Sequence, residues 1–160
     1  MAAIGRATGA APGVGDIAPG FCLPGTGGKT YCLEDEPSGP VVLVFYPADG
    51  TPVCTQQLRS YNEDLSAFGQ LGATVWCLSP QDVASHERFA AEHGLALPLL
   101  ADVGKQVGAA YGILGPLGFY RRSVFVVGAG RTIRFVRRSL TSMTYLPADR
   151  LLEAVASTTA

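Results

Sequence analysis

Four cysteines, Cys22, Cys32, Cys54 and Cys77, are the residues best able to do chemistry in this 160-residue chain. No two of them are spaced as Cys-x-x-Cys, so neither the common zinc knuckle nor a dithiol redox motif is encoded. His86 and His93 are the only histidines, and a metal site would have to be gathered from scattered residues; none is expected. Cys54 has the most informative surroundings. It closes the stretch FYPADGTPVC, in which Pro47 ends an apolar run and Thr51 stands three residues before the cysteine. A helical pattern starts at this point. A cysteine in or just before the first turn of a helix faces unpaired backbone N–H groups and the positive end of the helix dipole. Both stabilise the thiolate, the nucleophilic form of the side chain. Thr51 can aim a hydroxyl at whatever approaches the sulfur, and Pro47 stiffens the loop. Such a layout suits a small polar molecule held against a thiolate.

The elements that must position this group follow from periodicity. Residues 17–33 predict a hairpin around the turn cluster GTGGKT, with Cys22 and Cys32 symmetric about Gly27. The two could pair across the hairpin or stand as separate thiols. VVLVFY (41–46) is β-branched and aromatic without polar alternation, as in a strand buried on both faces, and is expected at the centre of a sheet. Leu58, Tyr61, Leu65 and Phe68 recur at helical spacing, with Gly69 as a stop. ATVWCL (73–78) predicts a second buried strand, and Ser79 to Gly94 a second helix whose His86 and His93 face solvent. LPLLAD (97–102) predicts a short strand or loop before a helix around 103–111. SVFVV, GAG and TIRFV form a hairpin, and PADRLLEAVAS closes the chain as a helix with Pro147 at its start. Trp76 and Tyr46 are expected in the core, as are Tyr111, Phe119 and Tyr120 unless they wall a pocket or a dimer face. The order β-α-β-α-β-β-α is that of an α/β, thioredoxin-like fold with an N-terminal β-hairpin extension and a central mixed sheet flanked by helices. Its first strand-to-helix loop presents the reactive group.

Composition sets the outer limits. Apolar residues make up 48% of the chain and charged residues 16%, against a usual charged share of about 25%, and the net charge is -1. A charge-driven disordered chain is excluded. The length fits one domain, taken as 16–160 after a flexible leader over 1–15. No apolar run is long enough to span a membrane, and the leader lacks the core of a secretion signal, which points to a cytoplasmic protein. Arg121, Arg122, Arg131, Arg134, Arg137 and Arg138 fall in a stretch without acids between Asp102 and Asp149. With near-zero net charge and no nucleic-acid motif, this is expected to be a solvated face rather than a phosphate-binding stripe.

FYPADGTPVCT resembles the signature of peroxiredoxins, Pro-x-x-x-Thr-x-x-Cys, here Pro47, Thr51 and Cys54. RSVF resembles that family's arginine strand. The similarity runs over about 16–157, including GDIAPGFCLPGTGGKTYCL, and is closest to the Q-type, or bacterioferritin comigratory protein, branch. The resemblance implies a thiol-dependent peroxidase acting on hydrogen peroxide or small organic hydroperoxides, without metal or organic cofactor. In it Cys54 would attack one peroxide oxygen and become a sulfenic acid. Thr51 would hydrogen-bond the peroxide, Pro47 would shield the sulfur, and Arg122 would stabilise the thiolate and the leaving oxygen. Arg122 is chosen over Arg121 because it lies three residues before Phe125, and adjacent strand residues point to opposite faces. The sequence also departs from the branch. Its usual resolving cysteine, five residues after the nucleophile, is replaced by Arg59, and a Glu often found nearby is Gln57. The resemblance then leaves either a one-cysteine enzyme regenerated by an external thiol, from a thioredoxin-like protein or a small molecule, or resolution by another cysteine, Cys77, Cys22 or Cys32. Cys77, in an adjacent strand, is a resolving candidate or a buried small hydrophobe. Monomer and homodimer are both open. Two other functions are compatible with the missing cysteine: a non-catalytic redox sensor, or a biosynthetic enzyme using the scaffold for other thiol chemistry.

Overall fold

The structure, a computed structural model, describes residues 11–35, 39–139, 141 and 143–159. Its strands are β1 (Cys22–Gly25), β2 (Lys29–Cys32), β3 (Val41–Phe45), β4 (Thr74–Ser79), β5 (Leu99–Ala101), β6 (Ser123–Val127) and β7 (Ile133–Arg138). The helices are α1 (Pro52–Glu63), α2 (Leu65–Gln70), α3 (Val83–His93), α4 (Gln106–Ala110) and α5 (Ala148–Thr159). All seven strands join one sheet in the order β2-β1-β5-β4-β3-β6-β7. β3, β4 and β5 run parallel, and the remaining pairings are antiparallel. This is the mixed α/β sheet with an N-terminal hairpin that the sequence predicts.

The sheet is buried on both faces, which is why β3 carries no polar alternation. Val42, Val44 and Tyr46 face a layer completed by Leu58, Tyr61, Phe68, Phe89 and Leu151 from four helices. Val41, Leu43 and Phe45 face the other layer, with Trp76, Tyr111, Tyr120 and Phe125. Tyr111 sits at the centre of that second layer, edge-on to Phe125 at 5.0 Å and 5.3 Å from Phe45. Phe119 departs from the expected core position and is 65% exposed.

Two further local features differ from expectation. The helix expected to run unbroken from Leu58 to Phe68 is interrupted at Asp64, whose N–H bonds back to Tyr61 O and whose backbone leaves helical values. The four-residue spacing of Tyr61, Leu65 and Phe68 survives the break, so both pieces face one core. His86 is fully buried rather than on a solvated face. The two ends of α3 nonetheless follow its sequence signals. Asp82 accepts from Ser85 N at the start, and Gly94 adopts φ +61° at the end, where a side chain would be strained.

The arginine stretch is likewise not one solvated face. Arg134 and Arg137 are exposed, but Arg122 is buried and Arg138 stacks 5.0 Å over the Phe125 ring. Arg138 Nη2 also donates to Pro12 O and Tyr111 O. Of the leader taken as 1–15, residues 1–10 lie outside the described residues. Pro12 is buried beneath Arg138, and Gly15 N donates to Ile133 O. No helix among the described residues is long and apolar enough to cross a membrane.

Candidate active site

Strand register brings the site together. β3 and β6 are antiparallel with Phe45 opposite Ser123, so the residue just before β6 lies beside the chain leaving β3. That residue is Arg122, and the departing chain is the Pro47–Thr51 loop. Gly50, at φ +80°, lets this loop turn into α1. Thr51 is the N-cap residue and Pro52 follows in the first turn, where its missing N–H costs nothing. The Thr51 side chain makes no cap hydrogen bond and lines a pocket instead. Cys54 therefore lies in the first turn of α1, as predicted.

On α1, Cys54, Gln57, Leu58 and Tyr61 share one buried face at three- and four-residue spacing. Arg122 reaches across to this face. Its Nη1 donates to Cys54 Sγ at 3.3 Å and to Gln57 Oε1 at 2.7 Å. Gln57 Nε2 in turn donates to Tyr61 Oη at 3.3 Å, and that hydroxyl donates to Leu146 O at 2.5 Å. A neutral carboxamide thus orients the guanidinium through a chain anchored on backbone, and it brings no negative charge near the sulfur. Arg121 points elsewhere and donates to Ser139 O at 3.4 Å.

A pocket of about 260 Å³ is lined by Pro47, Thr51, Pro52, Val53, Arg122 and Met143; Cys54 itself is fully buried and does not line it. Apolar residues dominate the lining, with Thr51 and Arg122 as its polar members. Pro47, Thr51 and Arg122 meet at this one pocket, and Arg122 links it to the sulfur beneath.

A second polar cluster holds the loop from behind. Asp49 accepts from Tyr46 Oη at 2.6 Å and Ser85 Oγ at 2.7 Å, and it pairs with His86 Nδ1 at 2.7 Å. His86 Nε2 lies 3.0 Å from Leu100 O, and Asp49 N donates to Gln81 Oε1. Burial raises the Asp49 pKa, but the hydrogen bonds from His86, Tyr46 and Ser85 outweigh it and leave the carboxyl below its usual range. These contacts tie the Pro47–Thr51 loop to α3 and β5. The spacing of His86, Phe89, Ala90 and His93 marks this buried helix face and is the signal that could have placed His86 inward. Met143 has no comparable signal; it follows a loop and joins the pocket only through tertiary structure.

The remaining cysteines divide in two. Cys77 on β4 is fully buried in the same layer as Cys54, and burial pushes its thiol well above the ordinary range. Cys22 and Cys32 stand directly opposite each other in the β1–β2 register and are joined as a disulfide, while Cys54 and Cys77 are free. Among the described residues no three His, Cys, Asp or Glu are grouped to hold a metal ion.

A thioredoxin-like sheet that sets an arginine against a buried helix-start cysteine, beside a pocket lined by that arginine and a threonine, defines a thiol-presenting class. The chain belongs to the AhpC/TSA family, whose model matches residues 14–136. It is 41% identical over 103 residues to the chloroplastic Peroxiredoxin Q of Arabidopsis thaliana, covering 64% of this chain and 48% of that protein. The chain spans about half the length of the curated relatives it matches first. Among solved structures, it superposes on a Mycobacterium tuberculosis peroxidoxin with a TM-score of 0.78 and 31% identity, covering 91% of this chain and 95% of the other. A bacterioferritin comigratory protein of Xanthomonas campestris, solved in work on its alkyl peroxide reduction activity, gives 0.80 and 26% over 88% and 92%.

Proposed function

We propose that this protein is a thiol-dependent peroxidase that reduces hydrogen peroxide and small organic hydroperoxides through Cys54. The observation that carries the reading is the Arg122 guanidinium 3.3 Å from Cys54 Sγ, at the base of a pocket walled by Pro47 and Thr51. The Cys54 thiolate attacks one oxygen of the peroxide. The O–O bond breaks, the hydroxyl passes to sulfur as a sulfenic acid, and the departing oxygen takes a proton from solvent to leave as alcohol or water. Arg122 is placed to favour the thiolate and to stabilise charge on the departing oxygen, and Thr51 to hold the peroxide. Pro47, Val53 and Met143 give the pocket apolar walls. The apolar lining suits an alkyl substituent, and the alkyl peroxide activity of the Xanthomonas campestris relative supports extending the substrate class beyond hydrogen peroxide.

Regeneration requires a thiol from outside the folded molecule. Arg59 occupies the position five residues after Cys54 and is exposed, and Cys77 is fully buried within β4, where burial raises its thiol. A reducing cytoplasm, the compartment expected from the sequence, suits such a cycle. The test is steady-state consumption of hydrogen peroxide and of an alkyl hydroperoxide with a small dithiol as reductant. Turnover that disappears in Cys54→Ser sustains the proposal; turnover retained in that variant, or none in the wild type, overturns it.

A further inference from the structure

The Cys22–Cys32 pair has no part in the cycle as described, and its geometry gives it one. In the hairpin, Leu23 and Tyr31 pack against the core, so their neighbours Cys22 and Cys32 project from the opposite face. Cys22 is exposed and Cys32 half-buried, on the outermost pair of strands. They are accessible where Cys77 is not. β5 and β4 separate β1 from β3, whose end carries the Cys54 loop. Three interstrand steps of about 4.8 Å amount to about 14 Å of sheet, against a Cα separation of at most about 7 Å for a disulfide. A bond between Cys54 and the hairpin within one folded molecule would have to bridge that separation. A second molecule meets no such limit.

We propose that Cys22 and Cys32 are the resolving dithiol of this chain and act on the Cys54 sulfenic acid of a second copy. The inference rests on the reading of Cys54 given above and supplies the thiol it requires. With the hairpin reduced, the Cys22 thiolate attacks the Cys54 sulfur of the other copy. An S–S bond forms, the S–OH bond breaks, and the hydroxyl leaves as water after taking a proton. Cys32, opposite Cys22, then gives up its proton and attacks the Cys22 sulfur. The Cys22–Cys32 bond forms and Cys54 leaves as thiolate. The dithiol has lost two electrons, and these complete the reduction of the peroxide to alcohol and water. A dithiol reductant of the thioredoxin class then reopens the exposed disulfide by exchange. A closed hairpin beside free Cys54 and Cys77 is the state in which this relay ends. In a reducing compartment, a disulfide of this kind is kept by a catalytic cycle rather than by the environment. Cys54 itself becomes accessible by opening the first turn of α1, where Thr51 supplies no side-chain cap.

The test uses the full chain, fully reduced and freed of reductant, given one equivalent of hydrogen peroxide at a series of protein concentrations and then mapped without reduction. The expected product is Cys22–Cys32 with Cys54 free, formed at a rate that rises with protein concentration. Cys32→Ser is expected to accumulate a covalent dimer through Cys54 and Cys22, and Cys22→Ser to accumulate none. A rate independent of protein concentration overturns the action between copies. Equal hairpin oxidation in Cys54→Ser overturns the relay, because it means that peroxide attacks the hairpin directly. Cys54 oxidised beside a hairpin that stays reduced overturns this inference alone, whereas Cys54 untouched by peroxide overturns the peroxidase reading together with it.

Discussion

Cys54 and Cys77 are both fully buried and belong to one core layer, yet their surroundings differ in kind. Cys77 sits in the middle of β4, paired with Val44 of β3, and burial alone drives its thiol upward. Cys54 sits where a helix starts, 3.3 Å from a guanidinium that also lines a pocket. Burial therefore does not decide whether a cysteine is inert. What matters is whether an ionised sulfur has a cation to face and a route by which a small molecule can arrive. The end of β3 supplies the cation and a neighbouring pocket, and the middle of β4 supplies neither.

The comparison can be broken at its strongest point first. Cys54→Ser is expected to lower peroxide turnover by at least about 10³-fold, as loss of a nucleophile does. Cys77→Ser should leave the rate within a few-fold, so a large loss from Cys77 in a folded variant would erase the distinction. Arg122→Ala should cost at least about 10²-fold in the peroxide reaction, the low end for one well-placed electrostatic donor, and Arg121→Ala little; stopped-flow measurement of the two variants compares them directly. Gln57→Leu removes the hydrogen bond from the Arg122 cation to a neutral acceptor and should cost about tenfold, a difference of roughly 1.4 kcal/mol. Asp49→Asn weakens the anchor behind the loop and should lower unfolding stability by about 1–3 kcal/mol. Because the Asp49 pKa is depressed in the folded protein, its contribution is complete above pH ~4 and is lost as acid titrates the folded carboxyl below that. Urea unfolding between pH 2 and 7 should show a shallower acid decline in Asp49→Asn than in wild type. Cys77→Ala, a buried truncation of about one methylene's size, should cost about 1 kcal/mol in the same titration with peroxide turnover unchanged.

The Cys54 side of the comparison was largely legible from sequence. The unbroken apolar run ending at Pro47 and the helical spacing that starts after it fix the end of β3 and the start of α1, and hence the position of the cysteine. The burial of Cys77 was legible as a small apolar residue in a predicted strand. Arg122 could be chosen over Arg121 by strand alternation together with the family resemblance, but its contact with Gln57 depends on the β3–β6 register. Gln57 itself stood out only as a departure from a familiar glutamate. The Asp49–His86 anchor joins residues 37 apart in the chain and has no local signature beyond the apolar spacing around His86. The break at Asp64 left no trace because the helical periodicity continues through it. Cys22 and Cys32 were symmetric about a turn, which made pairing feasible without requiring it.

The most direct measurement identifies which thiol takes up oxygen. The Cys22→Ser/Cys32→Ser double variant leaves Cys54 and Cys77 as the only thiols and removes the proposed relay. Fully reduced, it is given one equivalent of hydrogen peroxide in the presence of a dione that traps sulfenic acids, and its peptides are mapped by mass spectrometry. The account predicts the dione adduct on the Cys54 peptide and an unmodified thiol at Cys77. An adduct on Cys77, or peroxide left unconsumed with neither sulfur modified, would contradict it.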